Sequence, residues 1–191
     1  MVTTDRRARE QAARERLILD AARSIAEAEG WEAVTTRRLS TEIEYSQPVL
    51  YKHFAGKDRI AEAVALEGFT ELAAALQASR ADAAGADDLL VRMAQTYLDF
   101  AGANPVVYEL MFVRRSTLRF ATDDVPASLA SAFAELRDAI SGVACDRDLD
   151  TLTEVFWAAL HGLVTLARSE RLRPDYTAER VRLLAEQFSW R

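Results

Sequence analysis

The sequence has few of the residues that cross-link, break or turn a chain. It contains one cysteine, four prolines and seven glycines in 191 residues. A single cysteine, Cys145, cannot form an internal disulfide bond, so we expect an inert thiol and a reducing, cytoplasmic environment. The scarcity of glycine and proline, together with a hydrophobic content of 50 %, predicts long helices around an ample core.

Long apolar runs are also missing. No stretch reaches the roughly 18 consecutive apolar residues that a membrane-spanning helix needs, so we expect no membrane span. The first residues, MVTTDRRAREQAARERL, include no apolar segment of the kind that directs export, and we expect no export signal.

Motifs of enzyme chemistry are absent from the sequence as well. It has no glycine-rich phosphate loop, no HExxH metal motif, no nucleophile elbow and no cluster of cysteine and histidine. His161 has no metal-binding companion, because the other histidine of the chain is His53, in a different motif. Paired acids such as Asp123-Asp124 lie where helices are expected to start, and capping explains them. We therefore expect no enzyme activity, no cofactor and no bound metal.

The negative net charge is unevenly distributed. The formal charge is −6, but residues 1–60 hold eleven Lys/Arg against ten Asp/Glu, and the remainder holds thirteen against twenty. The segment from Ser46 to Lys57 contains two lysines and no acid. DNA affinity depends on the local neutralisation of phosphates. The acidic character of the residues after 60 is therefore compatible with DNA binding by another part of the chain.

Residues 36–57, TRRLSTEIEYSQPVLYKHFAGK, have the pattern of two short helices joined by a tight turn. In the first helix, Leu39 and Ile43 are spaced i, i+4, so both lie on one face and can pack inward. In the second, Leu50 and Phe54 have the same spacing. This pattern is typical of a helix-turn-helix, whose second helix enters the major groove of DNA.

The second of these helices is expected to run from Gln47 to about Phe54. Ser46 before it is a good N-cap, and Pro48 lies in the first turn, where a missing N–H costs nothing. Five side chains are predicted to point mostly away from the core: Gln47, Val49, Tyr51, Lys52 and His53.

The run SQPVLYKHFAGKDRIAEAV resembles the recognition-helix segment of the tetracycline-repressor (TetR) family, with a small polar cap, a Tyr, a His-Phe and a Lys that opens the next helix. The resemblance covers roughly residues 10–65 and implies an all-helical, homodimeric repressor that a small molecule releases from DNA. One departure is Glu44 in the inter-helix turn, where family members usually carry Gly. If the backbone there is left-handed, a residue with a Cβ costs about 1 kcal/mol; otherwise the turn is built differently.

By match to the family motif, the expected DNA-binding set is Thr36, Arg37, Ser46, Gln47, Pro48, Val49, Tyr51, Lys52, His53 and Lys57. Gln47 can offer a bidentate amide to a base edge, best with adenine, and Val49 can touch a thymine methyl. Tyr51, His53 and Lys57 are better suited to holding phosphates, which fixes register without carrying sequence information. The two residues that start the preceding helix would touch the DNA backbone from the other side. The alternative is a small helical bundle whose polar residues are merely solvated.

Apolar spacing along the whole chain predicts about nine helices, no strand and no repeat. Residues 1–9 lack apolar periodicity and are expected to form a frayed or disordered arm, either solvated or touching DNA phosphates or the minor groove. The first helix is expected over residues 10–29, and residues 116–125 are interpreted as a loop. Thr151 and Glu154 have the spacing of a capping box and are expected to open the penultimate helix.

The predicted fold is all-α, with an N-terminal three-helix helix-turn-helix head over residues 1–56 and a larger helical bundle over residues 57–191 for ligand binding and dimerisation. The fourth helix, which Lys57 opens, links the two. A helix N-terminus favours anions by itself, so Lys57 would add to a position already suited to a DNA phosphate.

The family resemblance also implies a ligand pocket in the body, and we expect an apolar or amphipathic small ligand. Aromatic and methionine side chains suit such a cavity and adapt to varied ligands, although at helical spacing such residues are more often plain core. The predicted ligand-binding set is Met93, Tyr97, Phe100, Tyr108, Met111, Phe112, Phe133, Phe156, Trp157 and His161.

The segment from Trp157 to Gly162 resembles the Trp…His-Gly (WHG-type) signature of one regulatory-domain subgroup in this family. Gly162 inside a helix costs about 1 kcal/mol relative to Ala, so close approach of another helix is a reason to keep it. We interpret this helix and the last one as a dimer interface in which they pair with their symmetry mates. His161 is interpreted as a hydrogen-bonded structural or pocket histidine.

These observations predict a homodimeric, ligand-responsive transcriptional repressor that binds a palindromic double-stranded DNA operator. An activator with the same head has the same sequence features. A helical ligand-binding protein without DNA function would show no salt-dependent binding to duplex DNA, and an all-helical enzyme would show turnover.

Overall fold

The structure is a computed structural model that describes residues 2–81, 83, 85–114 and 125–189. These residues form nine α-helices and one short 3-10 helix, Trp31–Ala33, and they contain no strand. The prediction of an all-α fold is confirmed. In chain order the α-helices are α1 (Val2–Glu29), α2 (Thr36–Glu42), α3 (Gln47–His53), α4 (Lys57–Ala81), α5 (Ala86–Ala103), α6 (Pro105–Phe112), α7 (Ala127–Ser141), α8 (Leu149–Arg168) and α9 (Thr177–Ser189).

The helices form two compact units. The first contains the described residues of 1–68 and 104–119, and the second contains those of 69–103 and 120–191. The division therefore falls inside α4, and α6 belongs to the same unit as the three N-terminal helices. Within the described part of the chain, none of the helices combines the length and the apolar character that crossing a membrane requires.

The core of the first unit is built on one stripe of α1. Ile18, Ala22 and Ile25 are buried, as their spacing predicts. Gly30 ends the helix with a φ of 85°, a left-handed conformation that glycine adopts without strain, and the chain turns at once into buried Trp31. Later elements complete this core with four further buried residues: Val34, Leu39, Leu50 and Ile60.

Helix α6 is fastened to the first unit at both its start and its middle. The Glu27 carboxylate of α1 accepts hydrogen bonds from the backbone N–H groups of Val106 (3.3 Å) and Val107 (3.2 Å), which the helix itself leaves unpaired. Gly68 of α4 lies so close that a Cβ built there would come 2.5 Å from Val107 Cγ1 and 2.7 Å from Met111 Sδ. A side chain at residue 68 would therefore push α4 and α6 apart.

The second unit has an aromatic core. Phe156 of α8 is fully buried, and its ring centroid lies 5.0 Å from that of Phe188 on α9, in an edge-to-face arrangement. At the surface of this unit, Arg80 of α4 donates a hydrogen bond to Asp138 of α7 at 2.6 Å. Because the Arg80 side chain is 34 % exposed and that of Asp138 is 56 % exposed, water still screens this ion pair, which therefore adds little stability; the apolar core is the main source.

The expectation of a frayed or disordered arm over residues 1–9 was wrong, because α1 begins at Val2. The prediction took the lack of apolar periodicity as a lack of helix. Apolar periodicity appears only where a helix buries one face. It is missing here because every described side chain from Arg6 to Arg14 is exposed. This segment is rich in alanine and arginine, which favour helix, and Arg6 pairs with Glu10 one turn later at 2.8 Å.

The capping of α8 also differs from the prediction. The helix starts at Leu149, and Asp148 is its N-cap, with a carboxylate oxygen accepting from the backbone N–H of Thr151 at 2.8 Å. Thr151 is thus inside the first turn and does not cap it. Aspartate and threonine are both good caps, and here the earlier residue takes the position. The predicted loop over residues 116–125 lies outside the described residues except for Val125.

Candidate DNA-binding site

The turn between α2 and α3 is a Schellman motif with glutamate in the place that glycine usually takes. The N–H of Tyr45 bonds to the carbonyl of Ser40 at 3.0 Å, and that of Glu44 bonds to the carbonyl of Thr41 at 3.4 Å. Glu44 has a φ of 56° and is therefore left-handed. The question that the sequence left open is answered, and the motif carries a backbone strain of about 1 kcal/mol.

Helix α2 is held by its cap and by one buried residue. The Thr35 hydroxyl accepts from the backbone N–H of Arg38 at 3.1 Å, and Leu39 is fully buried. The Arg38 guanidinium forms a two-pronged pair with Glu29 at the end of α1 (Nη1 to Oε2, 2.6 Å), and its hydrogen bond holds the pKa of Glu29 below the usual value. Of the two predicted DNA contacts on this helix, Arg37 is exposed and Thr36 is half-buried.

Helix α3 exposes a polar surface and anchors itself through Leu50, which is buried. Ser46 is the N-cap, as predicted, but its hydroxyl makes no capping hydrogen bond; its carbonyl accepts from the N–H groups of Val49 (2.9 Å) and Leu50 (3.2 Å). Tyr51 is 52 % exposed. The other outward-pointing members of the predicted set are exposed or half-buried: Ser46, Gln47, Pro48, Val49 and Lys52.

His53 does not point away from the core, contrary to the prediction. Its side chain is 9 % exposed, and its Nδ1 lies 3.4 Å from Oε1 of Glu15 on α1. The signal was present in the sequence, because His53 follows Leu50 by three residues and therefore lies near the same buried face. A hydrogen bond from Gln11, together with the contact to His53, lowers the pKa of Glu15.

Lys57 at the start of α4 already has a carboxylate partner. Its Nζ lies 3.3 Å from Oε2 of Glu32 and 5.6 Å from the ring centroid of Trp31. Glu32 is 81 % exposed and also accepts from Arg114 Nη1 at 2.9 Å; hydrogen bonds from Arg114 and Lys57 lower its pKa. Sequence reasoning missed this cluster, whose members come from distant parts of the chain.

The predicted ligand-binding residues are divided between the two units. Tyr108, Met111 and Phe112 belong to the first unit, where the rings of Tyr108 and Phe112 are 4.7 Å apart. The other seven belong to the second unit: Met93, Tyr97, Phe100, Phe133, Phe156, Trp157 and His161.

Within the second unit, two of these residues form a polar contact with each other. Trp157 Nε1 donates to the hydroxyl of buried Tyr97 at 3.1 Å. His161 is half-buried one turn further along α8, and burial lowers its pKa. Among the described residues no group of three or more acids, histidines or cysteines is placed to hold a metal ion.

Two family models match the chain. The model described as "Bacterial regulatory proteins, tetR family" matches residues 18–64, which contain the helix-turn-helix, and "Tetracyclin repressor-like, C-terminal domain" matches residues 90–188. The chain belongs to the tetracycline-repressor family. TetR-family members are non-enzymatic regulators that bind DNA, so this protein is a transcriptional regulator with a DNA-binding helix-turn-helix.

Individual relatives agree with this assignment. The chain is 28 % identical over 158 residues to the "Uncharacterized HTH-type transcriptional regulator YobS" of Bacillus subtilis (strain 168), a match covering 82 % of this chain and 80 % of that protein. A solved protein with unknown function from Rhodococcus sp. RHA1 has a TM-score of 0.74 at 24 % identity, with 92 % and 93 % of the two chains covered. A TetR-family transcriptional regulator from Streptomyces coelicolor has a TM-score of 0.64 at 21 % identity, with 92 % and 96 % covered. The structural likenesses support the fold.

Proposed function

We propose that this TetR-family regulator is a homodimeric repressor that binds a palindromic operator and is released by a small apolar or amphipathic effector in the cytoplasm. In this proposal residues 1–56, together with Lys57 at the start of α4, contact DNA, and the rest of residues 57–191 bind the effector and form the dimer. The two recognition helices would enter successive major grooves about 34–36 Å apart, which requires an operator with two-fold symmetry.

The surface of α3 is the observation that carries the DNA-binding part of the proposal. Burial of Leu50 fixes the helix, and its start presents Ser46, Gln47 and Pro48 to solvent. The segment from Ser46 to Lys57 carries no acid that would repel phosphate. A Gln side chain at the start of such a helix can form paired hydrogen bonds to adenine, so we assign Gln47 to base contact.

The exposed face of α8 supports the dimer. Val155 and Leu166 are 54 % and 39 % exposed, and with Gly162 they fall on one stripe of the helix. A Cβ built on Gly162 would meet nothing within 4 Å, so no contact within the described part of the chain requires a glycine there. A second copy of α8 crossing at this point would need one, because a missing side chain lets two helices approach closely.

An effector would act by binding one dimer geometry better than another, with a coupling free energy typically of about 1–3 kcal/mol. The second unit offers the chemistry for an apolar ligand with one polar group, through its buried aromatic residues and the Trp157–Tyr97 hydrogen bond. Tyr97→Phe would leave Trp157 without this acceptor and should weaken a polar effector more than an apolar one.

The test is a selection of bound duplexes from a random pool, performed with and without cell-extract metabolites. We expect a palindromic consensus that disappears from the bound pool when the effector is present. A consensus that is recovered without two-fold symmetry would contradict the dimeric mode. Transcription from a promoter that contains the selected site would then separate a repressor from an activator.

A further inference from the structure

Helix α1 begins well before the core of the first unit. Its first buried residue is Ile18, and from Arg6 to Leu17 every side chain is exposed except that of Glu15, which is half-buried. The segment from Val2 to Arg14 is helical and would extend about 20 Å at 1.5 Å per residue. From Arg6 to Arg14, the core of the first unit does not cover this N-terminal extension.

One side of α1 changes from apolar to basic where the core ends. Arg14 precedes Ile18 by one turn and Arg7 by a further two turns, so these three residues and Ile25 share a face. Ile18 and Ile25 are buried, whereas Arg7 and Arg14 are exposed. Among the described side chains, none pairs with Arg7 or Arg14, in contrast to the Arg6–Glu10 pair at 2.8 Å. We call Arg7 and Arg14 the basic face of α1.

Helix α1 leaves the core of the first unit beside the C-terminal end of α3. Glu15, the residue after Arg14, contacts His53, the last residue of α3, with 3.4 Å between Oε1 and Nδ1. A duplex held by α3 would therefore pass close to the base of the extension. At about 3.4 Å per base pair, an extension of about 20 Å has the length of about six base pairs.

We propose that the basic face of α1 binds phosphates of the duplex that flanks the half-site contacted by α3. The inference rests on the proposed DNA-binding function and extends the contact surface beyond the helix-turn-helix. Charge decides in favour of DNA over a protein partner: residues 6–16 hold five arginines against two glutamates, and alanine is their only apolar residue. Such a surface has little apolar area to bury, while arginine suits phosphate recognition.

The experiment measures the affinity of the full-length protein for a selected operator in a long form and in a form trimmed by about six base pairs at each end. The variant is R7Q/R14Q. Its matched control is R92Q/R137Q, which removes two exposed arginines of the second unit. Circular dichroism and gel filtration verify that each variant keeps its helix content and oligomeric state.

For the wild-type protein and the control, we expect the long duplex to bind about tenfold more tightly than the trimmed one, because only the long duplex offers the flanking phosphates. The slope of log affinity against log salt should also be steeper on the long duplex, by about 0.9 for each of these phosphate contacts. R7Q/R14Q should bind the two duplexes with equal affinity. On the long duplex its salt slope should be smaller than that of the wild-type protein. A variant that keeps the wild-type preference, a control that loses it equally, or a variant that changes oligomeric state would overturn the inference. A wild-type protein that binds no duplex would instead refute the proposed function on which the inference rests.

Discussion

The recognition helix α3 and helix α8 both leave a surface uncovered in the single chain, but the two surfaces differ in chemistry. α3 has seven residues and exposes Gln47 and Lys52. α8 has twenty and exposes Val155 and Leu166 on either side of a glycine. Charged and amide side chains can bind the phosphates and the base edges of DNA. An apolar stripe is better suited to contact with another apolar surface.

The difference teaches that exposure alone does not identify a partner. A short helix such as α3 depends on its neighbours for its position, so its function needs Leu50 inside and polar groups outside. Helix α8 is anchored through buried Phe156, Leu160 and Val164, and its length lets it offer an extended apolar stripe on the opposite side. We therefore propose that α3 contacts DNA and that α8 contacts a second copy of the chain, and the following changes test the two proposals.

The largest effect is expected from Leu166→Asp. A charge placed in an apolar helix–helix contact costs several kcal/mol, so the dimer dissociation constant should rise by about a hundredfold or more, equivalent to about 3 kcal/mol. Sedimentation velocity at a series of protein concentrations measures this directly. Val113→Asp is the matched control, because Val113 is also an exposed apolar residue but lies in the first unit. A dimer that survives Leu166→Asp unchanged would remove α8 from the interface.

Gln47→Ala is expected to cost about 1–3 kcal/mol on the operator and to relax the preference at one base position. The physical reason is the loss of paired hydrogen bonds to a base edge, which other sequences do not offer. Fluorescence anisotropy with the operator and with a random duplex of equal length gives the comparison. Equal losses on the two duplexes would show that Gln47 does not read a base.

Lys57→Ala is expected to weaken binding to the operator and to the random duplex by the same factor. The slope of log affinity against log salt concentration should fall by about 1 for each DNA-bound helix-turn-helix. The lysine would have to leave Glu32 to reach a phosphate, so Glu32→Gln should not weaken binding and should strengthen it slightly at low salt. Binding titrations at several salt concentrations measure both variants. A selective loss on the operator after Lys57→Ala would contradict a phosphate role.

The smallest effect is expected from Glu44→Gly. Glycine relieves the strain of a left-handed residue, about 1 kcal/mol, but also gains entropy in the unfolded chain, so the free energy of unfolding should rise by only about 0.5 kcal/mol. Urea denaturation measures it, and Glu44→Ala, which keeps the Cβ, should give no such gain. A fall in stability for Glu44→Gly would mean that the glutamate side chain makes a contact that outweighs the strain.

Local patterns in the sequence predicted what depends on neighbours along the chain. The i, i+4 pairs placed Leu39, Ile43, Leu50 and Phe54 inside the helix-turn-helix. The first three are buried, whereas Phe54, which follows the last residue of α3, is half-buried. The presence of the long helices followed from the same spacing. These features could be predicted because burial of one helix face leaves a periodic trace.

The rest depended on contacts between distant residues or on conformations that two residue types can adopt. Glu32 and Arg114 meet across 82 positions, and no local pattern signals such a pair. The helical state of the first residues left no periodic trace, because a solvated helix buries no face. The backbone at Glu44 could not be inferred either, since a glutamate is compatible with more than one turn.

The most direct test of the DNA-reading role of α3 is a salt titration of wild-type binding to the selected operator and to a scrambled duplex of equal length. A regulator that reads sequence through α3 should bind the operator at least about a thousandfold more tightly near physiological salt, with the affinity falling steeply as salt rises. Equal affinity for the two duplexes, or no binding to either at low salt, would contradict that role.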